Sequence, residues 1–479
     1  MQYEGRGGGG GGASPESRPR SFSITIGPER LMELEGRMKE PPKQLSQSAG
    51  RRSCCIFRVP QSLAEINEKA YQPHTTSIGP YHHGNPKFNM IEEHKWRFLD
   101  DLLRFNGTHP LELFKTVSRM EESIRESYSE YLNYDSYELV EMMVVDGCFI
   151  IALFCKVEGV IPPRQDDPLF KMTWVLPFLM RDLLLLENQI PYSVLEALYE
   201  LCIGKLSTNT NNPNSRNSSS SSNNQNDGNC NHPSLARLAL SFFDKMALRR
   251  PDVLKKYYDH KQGVKHLLDL FRDTYLPPTQ EVTSRNCKSE YQQLIQCSRK
   301  LHLAGVKFKL RRSESSDSFL DIKFKNGGLE IPKFTIDDLS SSLFLNFVAY
   351  EQCYSNCTKH MTSYATFMGC LISNPSDAGF LCDRKIVENY FGTDDEVARF
   401  FNKVGKDVVF DIDQSYLSEV FEDVNEYCQN DWKVGWAEFK HTYFGTRWSF
   451  ISALAAVVLL VLTMIQSFFA AYAYFWPPK

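Results

Sequence analysis

The sequence predicts a mainly α fold: a multi-helix globular domain with a small antiparallel β element at about 305–337 and one C-terminal transmembrane helix. Three observations carry this. Apolar residues recur at helical spacing over most of the chain. The period changes to two only between Gly305 and Asp337, where "VKFKL", "FLDIKF" and "GGLEIPKFTIDD" alternate. Finally, no charged residue interrupts "WSFISALAAVVLLVLTMIQSFFAAYAYFW", Trp448 to Trp476.

Residues 1–24, rich in Gly, Ser, Pro and Arg, are expected to be disordered. "ERLMELEGRMKE" predicts a short helix stopped at Pro41-Pro42. "CCIFRVPQSL" is a short β-branched and aromatic run ended by Pro60. In "NMIEEHKWRFLDDLLRF", Ile91, Trp96, Phe98, Leu99, Leu102 and Leu103 share roughly one face, and "VSRMEESIRESYSEYL" repeats the period. "SYELVEMMVVDGCFIIALFCKVEG" is apolar all round, as a central buried helix would be. "TWVLPFLMRDLLLLENQIPYSVLEALYELC" is helical with Pro177 and Pro191 as punctuation.

The Asn/Ser-rich stretch 207–231 can bury nothing and reads as a disordered insertion within one domain spanning 25–445. Helix resumes at "HPSLARLALSFFDKMAL". Two or three antiparallel strands follow, joined by "RRSESSDS" and then by a "KNGG" turn. Beyond them "LSSSLFLNFVAYEQC", "TSYATFMGCLIS", "DRKIVENYF" and "DEVARFFNKV" read as helices. Trp432, Trp436, Phe439 and Tyr443 then fall on one face of a segment that suits either a headgroup plane or a final docking helix.

The 448–476 segment has the length of a bilayer span, with Trp448 at one end and Tyr472, Tyr474 and Trp476 at the other as an aromatic belt. Lys433, Lys440 and Arg447 precede it and only Lys479 follows, which places the N-terminal domain on the cytoplasmic side. With no apolar stretch at the N-terminus to act as a secretory signal, the expectation is a tail-anchored, single-pass membrane protein whose lipid partner is met through this helix. Thirteen scattered cysteines fit reduced, core-packed thiols better than a disulfide framework. A net charge of −4 gives no electrostatic case for nucleic acid.

Phosphate-loop, zinc-protease, nucleophile-elbow and kinase signatures are absent, and Gly7 to Gly12 follow no strand. His82, His83, Glu93 and His94 are ligand types that zinc accepts, but each pair is adjacent, which does not put two ligands on one helical face. Cys353, Cys357 and His360 fit one helix face yet lack a fourth ligand, so a core stripe is the simpler account. Asp146 is the exception in the apolar run "VVDGCFIIALF". Together with Glu187, Asn188 and Gln189 of "RDLLLLENQIP" it suggests a buried polar network, in which Asp146 accepts from the Asn188 or Gln189 amide or from a backbone end at Pro191. The alternative is an acid/base pair of Asp146 and Glu187 in a hydrolase, or a metal-dependent enzyme using His82, His83 and His94. No catalytic residue, cofactor or metal is expected.

"CCIFRVP", "TSIGPYHHG", "EEHKWRFL", "VVDGCFII", "RDLLLLENQIP", "LDIKFKNGGLEIPKFTIDD", "FVAYEQC" and "YATFMGCLIS", in this order from about residue 25 onward, resemble the plant DUF247 family, also called UPF0481. The resemblance implies a plant protein with one C-terminal transmembrane segment and no established enzymatic activity. Some grass members are linked to self-incompatibility. It gives Asp146, Glu187, Asn188, Gln189 and Pro191 no catalytic role. The function expected on this basis is recognition or signalling through contact with an unknown protein partner.

Overall fold

The computed structural model describes residues 27–40, 42–204, 233–247, 254–258, 263–277, 293–311, 318–406, 408–429 and 447–475. At its centre lies the helix Ser136–Val157. Asp135 caps its first turn by accepting from the Glu138 amide, and the Glu138 carboxylate returns the bond to the Asp135 amide. From Leu139 to Lys156 nearly every residue of this helix is buried, as its all-round apolar sequence predicts. The helices Asn89–Asn106, Pro110–Ser118 and Tyr192–Cys202 pack around it. Gly147 is where the last of these comes closest: a Cβ there would stand 2.5 Å from Leu198 Cδ1.

A second group of helices, Asp338–Cys353, His360–Leu371, Pro375–Asp383 and Asp394–Lys406, continues the same core. Asn346 joins the two groups. Its Oδ1 accepts from the Leu186 amide at 2.8 Å and its Nδ2 donates to the Ala70 carbonyl at 3.0 Å. A buried ion pair does the same nearby. Arg272 Nη2 donates to Glu351 Oε1 at 2.6 Å, and the Glu351 carboxylate accepts from the Met361 and Thr362 amides at 3.1 and 2.8 Å. Glu351 thus satisfies two amides at the start of the helix His360–Leu371, which have no partner within the helix.

The β element differs from its expected form. Strands β1 (Lys307–Arg311), β2 (Lys323–Lys325) and β3 (Gly328–Pro332) form a mixed sheet in the order β1-β3-β2, in which β1 runs parallel to β3. Only β2 and β3 form the expected antiparallel hairpin, turning at Asn326 and Gly327, both with positive φ, as a two-residue I′ turn requires. Alternation tells which face a strand buries but not which neighbour it takes, and β3 takes the central place. The "RRSESSDS" loop lies largely outside the described residues.

β4 (Phe334–Ile336) pairs in parallel with β5 (Val387–Asn389). The "DRKIVENYF" stretch is therefore not the expected helix. Lys385 adopts φ +60° just after the helix Pro375–Asp383, and the β-branched Ile386-Val387 continues as strand.

The expected transmembrane helix is also corrected. Residues Arg447–Phe475 are helical. Among the described residues, however, no helix is long and apolar enough to cross a membrane. The single-pass anchor, and the membrane localisation that followed from it, are not supported. The belt residues Trp448, Tyr472, Tyr474 and Trp476 have no described side chains. The segments 1–24 and 207–231 and the Trp432–Tyr443 face also lie outside the described residues.

His266 sits wholly buried between the two helix groups. Its Nδ1 accepts from the Asp269 amide at 3.2 Å, so Nε2 carries the hydrogen and donates to the Cys55 carbonyl at 3.0 Å. Burial holds its pKa at about 4. The unfolded chain takes up this proton near 6.5. Between these values the folded form binds fewer protons, so the His266 contribution is complete above pH 6.5 and declines as pH falls toward 4, by up to about 3 kcal/mol. Asp273, raised to about 7 chiefly by burial, titrates in the opposite sense over the same range. Denaturant melts of wild type and His266→Gln from pH 7.5 to 4.5 separate the two. The stability gap between them should narrow as pH falls; a gap constant with pH would refute the assignment.

A candidate site built on the 74–82 segment

The four-leucine corner and the central helix converge on one stretch of irregular backbone, His74 to His82, "HTTSIGPYH". Backbone in this conformation has no helix partners, so its buried amides and carbonyls need other ones. Side chains supply them. Asp182, at the end of the helix Val175–Asp182, accepts from the amides of His74, Thr75 and Thr76 at 2.7 to 3.1 Å and from the Thr75 hydroxyl at 2.8 Å. Asn188 Oδ1 accepts from the Ile78 amide at 2.7 Å, and its Nδ2 donates to the Thr76 carbonyl at 3.1 Å. Lys95 Nζ donates to the Ser77 carbonyl, and Asp146 Oδ2 accepts from the Gly79 amide at 2.7 Å.

Asp146 and Lys95 also meet each other: Nζ lies 2.6 Å from Asp146 Oδ1 and 2.6 Å from Glu92 Oε1. Both Lys95 and Asp146 are buried. A buried lysine needs a partner, and this one has two carboxylates and a carbonyl, which matches its three donors. Burial pushes the Glu92 carboxyl up, against the pull of the Lys95 cation. Further along the same two helices a second pair repeats the arrangement with the signs exchanged: Lys156 Nζ lies 2.7 Å from Asp101 Oδ2.

Gly79 is required where it stands. Its φ is +71°, and a Cβ would lie 2.6 Å from the Gln189 carbonyl oxygen and 3.1 Å from the Tyr128 hydroxyl. That hydroxyl donates to the same carbonyl at 3.0 Å.

Of the four candidates taken from the sequence, the side chains of Asp146 and Asn188 bond this segment, but the four do not bond as expected. Asp146 does not take its hydrogen bonds from Asn188 or Gln189. Gln189 Nε2 instead ties its own turn, donating to the Leu183 and Leu185 carbonyls at 2.8 and 2.9 Å, while its Oε1 accepts from the Leu268 amide at 3.2 Å. Glu187 faces elsewhere, accepting from the Val59 amide at 2.7 Å and from Arg58 Nη1 at 2.8 Å. Arg58 in turn reaches Glu130 and lies 4.2 Å over the Tyr81 ring. Sequence spacing missed Lys95 and Arg58. Lys95 stands in the quoted "EEHKWRFL" run as a lysine among apolar positions, a signal of the same kind as Asp146.

The histidines do not converge. His82 Nε2 approaches Glu187 at 3.5 Å, His83 packs edge-on against Tyr134, and burial beside Arg97 lowers the pKa of His94. Burial and the nearby Arg58 cation hold His82 at about 4. Cys353, Cys357 and His360 do not share a helix face either. One helix ends at Cys353, Cys357 lies in the turn, and His360 opens the next helix, its ring 4.7 Å from that of Tyr416. Among the described residues no group of three or more His, Cys, Asp or Glu is placed to hold a metal ion.

A largely helical domain whose buried charges are turned onto its own backbone is the class these observations define. The chain belongs to the DUF247 family, plant proteins of unknown function, which it matches over residues 56–462. It is 40% identical to UPF0481 protein At3g47200 of Arabidopsis thaliana over 459 residues, covering 90% of this chain and 89% of the relative. It is 23% identical to the putative UPF0481 protein At3g02645 of the same plant over 493 residues, covering 88% and 90%. No solved structure matches significantly.

Two outcomes test this geometry. Lys95→Met leaves Asp146 buried without its cation, and Asp146→Asn removes the charge that Lys95 faces. Each should cost about 3–5 kcal/mol in denaturant unfolding, and the double variant clearly less than the sum. Additive losses would mean the two groups do not interact. Gly79→Ala should lower stability by at least about 2 kcal/mol through the positive φ and the Gln189 contact. A neutral result would show that the segment takes another path.

Proposed function

We propose that this protein is a recognition module that acts by protein–protein contact and not by catalysis. One observation supports this most. The carboxylates that a hydrolase reading needs, Asp146 and Glu187, are already occupied by backbone amides and by the Lys95 and Arg58 cations. A general acid or base has to exchange its proton with a substrate. These oxygens serve the fold, and they face different parts of it.

The test pairs binding with turnover. A partner found by proximity labelling is purified and titrated against the full chain. Glu187→Gln keeps the size of the side chain and one acceptor for Val59, so it should fold with a loss of about 1–3 kcal/mol. It is expected to bind the partner with unchanged affinity. A substrate consumed by the wild-type chain and spared by folded Glu187→Gln would overturn the proposal in favour of an enzyme.

A further inference from the structure

The outer face of the mixed sheet carries an arrangement that the buried network does not use. In β1, Phe308 turns into the core, and Lys307 and Lys309 turn outward. In β2, Lys323 and Lys325 are exposed to either side of Phe324, whose ring packs on Tyr427. The register aligns Lys307, Gly328 and Lys325 in one row across the sheet and Lys309, Glu330 and Lys323 in the next.

Charge is distributed unevenly over this face. Toward Arg311 it is balanced: Arg311 pairs with Asp321 at 2.8 Å and with Glu330 at 3.2 Å, and Lys323 lies 3.7 Å from Asp321. Around Gly328 it is not. Lys307, Lys309 and Lys325 form no ion pair with a described residue. Lys309 Nζ stands 3.9 Å from where a Cβ of residue 328 would be, and Lys307 and Lys325 are exposed in the flanking strands of the same row.

We propose that this face docks an extended acidic segment of a protein partner, with carboxylates on alternate residues. The inference rests on the reading of the protein as a recognition module and names the chemistry of one contact. Spacing and charge support it together. Lys307 and Lys309 are two residues apart on one strand, about 6.6 Å, and an extended acidic segment repeats its same-side carboxylates at that interval. Lys325 stands across β3 from Lys307, about 10 Å away at two strand spacings, so it reaches the segment from the other side. A net charge of −4 on the whole chain disfavours a polyanion such as nucleic acid, which would meet repulsion beyond the patch.

The test uses the full chain and a fluorescent peptide of alternating Glu and Ser. Anisotropy should show saturable binding that weakens at 0.5 M salt. A peptide of the same composition with its glutamates in one block should bind less tightly. Lys307→Gln/Lys309→Gln/Lys325→Gln should weaken binding at least tenfold with unchanged thermal unfolding, and the single Lys309→Glu should weaken it too. Lys403→Gln, an exposed lysine on another element, should leave it unchanged. No binding, equal binding by the triple variant, or equal affinity for single-stranded DNA, anionic vesicles or inorganic phosphate would overturn the proposal. A purified protein partner that binds the triple variant as well as wild type would remove this site and leave the recognition reading standing.

Discussion

The 74–79 backbone is the constraint on which the arrangement of this fold depends. It is irregular and, from Thr75 onward, buried, and its polar groups are matched by side chains from three places: Asp182 and Asn188 from the leucine corner, Asp146 from the central helix and Lys95 from the helix Asn89–Asn106. A buried amide or carbonyl without a partner costs about as much as a lost hydrogen bond, and here several lie side by side. The four side chains therefore fix where the segment runs and, through it, how the corner meets the two helices.

Burying Lys95 with Asp146 adds specificity at a cost in desolvation. Alone, neither charge belongs in the core. Together with Glu92 and the Ser77 carbonyl they form a closed group that fits only one placement of the two helices. The reversed pair Lys156–Asp101 further along the same helices acts in the same direction. Apolar packing alone, with helices rich in Leu, Ile and Phe, would tolerate slippage that these pairs do not.

The same closure bears on function. Asp146, Asp182, Glu187 and Glu351 all hold amides of the fold, and each also holds a buried or half-buried cation: Lys95, Arg181, Arg58 and Arg272 respectively. What remains available to a partner is the surface. There the face that carries Lys307, Lys309 and Lys325 stands out because these lysines have no ion-pair partner among the described residues, whereas the neighbouring Arg311–Asp321–Glu330 group is neutralised internally.

By itself the sequence determined the elements with a strong period and the chemical oddity of the core. The all-round apolar run from Ser136 to Val157 had to be a buried helix, "KNGG" had to turn, and a lone aspartate in "VVDGCFII" had to find a partner. The family was legible too, because many short motifs stand in order along most of the chain. Tertiary structure alone decided the rest. Lys95 meets Asp146 across 51 positions of sequence, and no local pattern encodes a pairing that long. β1 lies parallel to β3 because alternation specifies a face and leaves the neighbour open. "VEN" became a strand because β4 offered an edge to pair with, and a short segment takes the conformation its neighbours provide. The C-terminal span was inferred from length and apolarity over 448–476, yet among the described residues no helix is long and apolar enough to cross a membrane. Composition limits what a segment can bury, but which groups it meets is set by residues far away in sequence, and only the fold brings them together.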